Sequence, residues 1–99
     1  MSYAFTQDVP IDARVYEQIK AELGPTPPEG LIVHVALERE AGKLSYVDVW
    51  QTREHFIAFA NDRLHPAVGR TFKRLGIPMP QPEPARHDVI VHDVWPSRA

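Results

Sequence analysis

The chain has no cysteine, which excludes disulfides, thiolate metal sites and a cysteine nucleophile. No apolar run approaches the length of a membrane span. The first residues, MSYAFTQD, lack the basic and hydrophobic regions of a secretory signal, so a cytoplasmic protein with no membrane partner is expected. Charge of one sign is also lacking: eleven basic against thirteen acidic residues leave a net −2. That balance argues against phosphate-driven nucleic-acid binding. There are only five glycines, and none forms a phosphate cradle. No nucleotide loop, nucleophile elbow or metalloprotease motif is present. What remains is an ordinary globular composition, 43% hydrophobic and 24% charged over 99 residues. A single domain over residues 1–99 with one core is expected.

Residues 2–8 alternate Tyr3, Phe5 and Gln7 with small or polar residues and read as a strand, stopped by Pro10. Asp12 is placed to cap a helix whose apolar positions are Val15, Tyr16, Ile19 and Leu23, ending at Gly24. From Gly30 the period changes to two, and after a turn at Glu40-Ala41-Gly42 a further strand runs from Leu44 to Gln51. Thr52 then caps a helix carrying Phe56, Ile57, Phe59, Ala60 and Leu64. Pro66 lacks an N–H, so a kink or a new helix start is expected there, with Val68, Phe72 and Leu75 inward before Gly76. Four prolines between Ile77 and Ala85 make an extended linker. Arg86 to Trp95 is expected to be the last strand, closed by Pro96.

This order, β-α-β-β-α-β, is the ferredoxin-like α+β arrangement. Right-handed crossovers place both helices on one face of a four-stranded antiparallel sheet and leave the other bare. A three-residue loop with Gly42 in the left-handed position sets the central hairpin register. Val33 then faces Val49, Val35 faces Val47 and Leu37 faces Ser45, and this face is expected under the helices. The opposite face pairs Ile32 with Trp50, His34 with Asp48, Ala36 with Tyr46 and Glu38 with Leu44. A two-residue loop would slip the pairing by one residue and break this apolar pattern. On this assignment Ile32, Tyr46 and Trp50 form an apolar patch on the bare face, which a second copy would cover as a two-fold homodimer with a shared cavity. The same assignment expects Val35→Asp to unfold the protein.

The chain resembles the dimeric α+β barrel proteins, including the antibiotic-biosynthesis monooxygenase-like group and many uncharacterised bacterial members. The resemblance rests on Gly30-Leu31-Ile32-Val33-His34-Val35-Ala36, on Val47-Asp48-Val49-Trp50-Gln51-Thr52-Arg53-Glu54-His55-Phe56, and on Phe59 and Arg63-Leu64-His65-Pro66. It covers nearly the whole chain. It implies a homodimeric barrel, and it makes cofactor-independent oxygen chemistry on a small molecule thinkable. Haem-degrading members imply a helix Trp, a helix His and a first-strand Asn. The matching positions here hold Phe59 and about Gly69, and the first strand has no Asn.

The candidate catalytic pair is His34 and Asp48. A carboxylate beside an imidazole orients it and suits it to take a proton from a phenol or enol. The same pair also serves as a satisfied polar contact with no catalysis. Trp50, Tyr46 and Ile32 are candidate walls for an apolar or aromatic small molecule, or simply packing. His92 joins them if Val89 and Val91 face the helices. His87 and His92 lie on opposite faces of one strand, and His55 and His65 read as solvated or capping residues. No metal spacing is present, and no cofactor is expected. An RNA-recognition module shares the element order, but the third strand lacks its glycines, and Asp48 and Glu38 would repel phosphates.

Overall fold

The computed structural model describes residues 2–40 and 42–96. Its elements are β1 (Tyr3–Val9), α1 (Ala13–Leu23), β2 (Leu31–Glu38), β3 (Leu44–Trp50), α2 (Arg53–Phe59), a π-helical segment (Ala60–Leu64), α3 (His65–Leu75) and β4 (Arg86–Val89). The four strands form one antiparallel sheet in the order β2-β3-β1-β4. With the helices packed on it, this is the ferredoxin-like α+β fold.

The helix starts follow from their caps. Asp12 Oδ1 accepts the Val15 N–H at 2.9 Å, and Thr52 Oγ1 accepts the His55 N–H at 3.1 Å. Between α2 and α3 the helix widens by one residue, so that the His65 N–H bonds the Ala60 carbonyl. This wide turn is how the chain accommodates Pro66, whose missing N–H and ring would break a regular helix. The helical layer is tied together at its surface. Arg70 meets Glu22 at 2.8 Å, Arg74 meets Gln18 at 2.9 Å, and Arg63 donates to the carbonyls of Leu23 and Thr26.

The hairpin register agrees with the pattern from Val33 to Glu38: Val33 opposes Val49, His34 opposes Asp48, and Ala36 opposes Tyr46. Gly42 takes φ +78°, and the Arg39 N–H bonds the Lys43 carbonyl, as a loop ending in a left-handed residue requires. Ala41 lies outside the described residues. A bulge at Ile32 shifts the start of β2, so that Leu31, not Ile32, opposes Trp50.

The assignment of faces is the reverse of the one expected. His34, Tyr46, Asp48 and Trp50 lie under the helices, whereas Val33 (38%), Val35 (39%), Leu37 (49%) and Val89 (46%) are exposed. The reason lies in the helices. α2 presents Phe56 and Phe59, and α1 presents Tyr16. The aromatic side chains of the sheet span the gap to them and give Tyr16 a polar partner, which short valines cannot do. Phe5 of β1 joins the same side, 4.9 Å from Phe56 between ring centroids. The core is therefore Phe5, Trp50, Phe56 and Ala60, flanked by Tyr3, Leu31, Ile57 and Phe59. Arg86 lays its guanidinium over Phe56 and Phe5, at 4.8 and 5.8 Å from the ring centroids.

The last strand is also shorter than expected. Its pairing stops at Ala4 opposite Val89, one residue short of the start of β1 at Tyr3, beyond which the register offers no further strand. Ile90 to Trp95 lie beyond the sheet.

Candidate functional site

Four side chains from three elements form one hydrogen-bonded chain under α1. Trp50 Nε1 donates to Asp48 Oδ2 at 3.1 Å. Asp48 Oδ1 lies 2.5 Å from His34 Nδ1, and His34 Nε2 lies 3.0 Å from Tyr16 Oη. With Nδ1–H donating to Asp48, Nε2 accepts from the Tyr16 hydroxyl in the matching tautomer, and every link is then satisfied. Asp48 is 6% exposed and Trp50 1%, while the His34 side chain keeps 24%. Tyr46 closes the group, with its ring 4.9 Å from His34 at 64° and 5.8 Å from Tyr16.

The backbone explains the gathering. His34 and Asp48 are directly opposed on β2 and β3, which brings their Cβ atoms to about 5 Å. Tyr46 and Trp50 stand two residues either side of Asp48 and so share its face. Tyr16 comes down from α1 one turn after the Asp12 cap. Burial raises the phenol pKa of Tyr16 above 10.0, with Glu17 and Asp48 adding in the same direction. Burial likewise raises that of Tyr46 well above 10.0, with help from Tyr16 and Asp48. Both phenols therefore stay protonated through the physiological range, as donors and not as bases.

Of the residues singled out from the sequence, His34, Asp48, Tyr46 and Trp50 are brought together, but on the helix side. Ile32 sits at the bulge, half-buried and outside the network. His92 is exposed beyond the end of β4 and nowhere in a strand. Tyr16 was not foreseen as a polar partner, since its position in the apolar stripe of α1 marked it as packing. The one available signal was that a phenol turned inward needs a partner for its hydroxyl. A concavity of about 340 Å³ lies elsewhere, with Asp12, Arg14, Glu38, Glu40 and Lys43 among its lining residues. Among the described residues no three His, Asp or Glu side chains converge as metal ligands, and no helix is long and apolar enough to cross a membrane.

The class defined by fold and site is thus a ferredoxin-like α+β domain with a Tyr-His-Asp-Trp network between sheet and helix, and with Val33, Val35, Leu37 and Val89 exposed on the other sheet face. No protein-family model matches the chain, and no curated protein sequence is significantly similar to it.

Proposed function

We propose that this protein works as a homodimer of the dimeric α+β barrel type, formed by packing the valine faces of two sheets together, and that its role is structural or regulatory. The observation that carries this is the exposure of Val33, Val35, Leu37 and Val89 on one side of the sheet. Exposed apolar residues on one sheet face mark an interaction site, and a second copy offers the same residues to meet them. The Tyr16–His34–Asp48–Trp50 network then acts as an internal brace. Each of its polar atoms already has a partner, which leaves His34 no free nitrogen for a substrate. Native mass spectrometry tests the reading: the full chain is expected at twice 11.3 kDa. Val35→Asp is expected to be a folded monomer, because the carboxylate sits in water in the protomer and is buried only in the pair. A monomeric parent chain, or an unfolded variant, contradicts it.

One observation favours a second reading, in which the protein binds a small aromatic molecule and acts on it without a cofactor. His34 is a quarter exposed and is oriented by Asp48, so rotation of Tyr16 would present Nε2 as a base to a phenol or enol. The resemblance to monooxygenase-like proteins supports this. Oxygen uptake with a naphthohydroquinone separates the two: protein-dependent uptake lost in His34→Ala supports chemistry, and uptake equal to the buffer background supports the brace.

A further inference from the structure

The residues that follow β4 are strand formers with nothing to pair with. Ile90, Val91, Val94 and Trp95 all favour extended structure, yet pairing ends at Val89, and only Val91 and Val94 of the four are half-buried. Ile90 is 97% exposed and Trp95 91%. A protomer gains nothing by leaving an isoleucine and an indole in water, and such a segment beside an open sheet edge is a template for pairing with another chain.

The area needed for a stable dimer points the same way. The four strands hold 7, 8, 7 and 4 residues. At ~3.3 Å per residue and ~4.8 Å between strands, one face covers at most about 400 Å², since Ala4 and Val49 on it are already buried. Two such faces bury at most about 800 Å², short of the roughly 1,200–2,000 Å² of stable interfaces. An indole brings about 200 Å² per copy, so Trp95 from both copies raises the total toward the lower bound, and Ile90 takes it further.

We infer that Ile90–Trp95 is an exchange arm, which leaves its own sheet and packs against the second copy, with Ile90 and Trp95 as its anchors. This rests on the homodimer proposed above, and its test separates the two. The full chain is diluted in sedimentation velocity beside the double variant Ile90→Ser/Trp95→Ser, whose side chains are exposed in the protomer and so leave its fold intact. ¹⁹F-tryptophan NMR follows the two indoles in parallel. The expected result is a dimer whose dissociation constant rises about a hundredfold in the double variant. A Trp95 signal that becomes solvent-shielded only as dimer forms, while that of Trp50 stays constant, is expected with it. A parent dimer with unchanged affinity in the variant and Trp95 still in water overturns the arm and leaves the paired sheets standing. A Trp95 shielded in dilute monomer also overturns it, since the segment then folds back on its own chain. A parent chain that is monomeric at all concentrations removes both proposals.

Discussion

Replacing Asp48 by alanine removes the centre of the network and leaves two donors behind. The Trp50 N–H is the more costly, because its side chain is 1% exposed and water cannot reach it; an orphaned buried donor costs ~1–3 kcal/mol. His34 Nδ1 costs less, since the quarter of that side chain in water allows partial rehydration. Against these stands the relief of removing a nearly buried carboxylate, which offsets part of the loss. The net destabilisation is about 2–3 kcal/mol, or roughly 10–20 °C in Tm for a domain of this size. Urea unfolding followed by circular dichroism, with all proteins at one fixed concentration, measures it. Asp48→Asn keeps one acceptor oxygen and is expected to lose about half as much. A loss under about 0.5 kcal/mol in Asp48→Ala would falsify the view that these bonds brace the helix-covered face of the sheet.

Gly30→Ala is expected to cost at least about 2 kcal/mol, combining strain and overpacking. Gly30 has φ +85°, and an added Cβ would come within 2.3 Å of the His55 ring; unfolding midpoints near the parent value would contradict this. The raised phenol pKa values of Tyr16 and Tyr46 set an alkaline limit. Their folded values exceed the unfolded one, so the stability they contribute is complete below pH 10 and declines as pH rises from there toward the folded values. Tyr46→Phe should flatten the fall in urea midpoint above pH 10; a slope identical to the parent's removes Tyr46 as its cause. Thr52→Ala should lose about 1 kcal/mol from the α2 cap, read from the same urea curves, and no change would mean that the His55 N–H finds another acceptor.

Much of this architecture was legible in the sequence because local rules set it. The glycine at 42 fixed the reversal, the register followed, and His34 met Asp48 as a consequence. The side of the sheet was not legible. β2 carries apolar residues on both faces, and a strand that is apolar on both sides does not alternate in a way that names its inner face. The clue lay outside the hairpin. Tyr3 and Phe5 alternate with Ala4 and Thr6, and aromatic residues on α2 need large partners beneath them, which only Trp50 and its face supply. The end of the last strand was illegible for a different reason. Residues 90–95 have the composition of a strand, but a strand exists only where a neighbour does.

Small-angle X-ray scattering tests the central claim most directly, because it reads mass and shape together. Two protomers stacked through valine faces about 10 Å apart have a radius of gyration of about 17 Å, against 13.7 Å for one protomer. The larger value together with twice the protomer mass is expected, and a particle of one protomer's mass with a radius near 14 Å would contradict the paired-sheet homodimer.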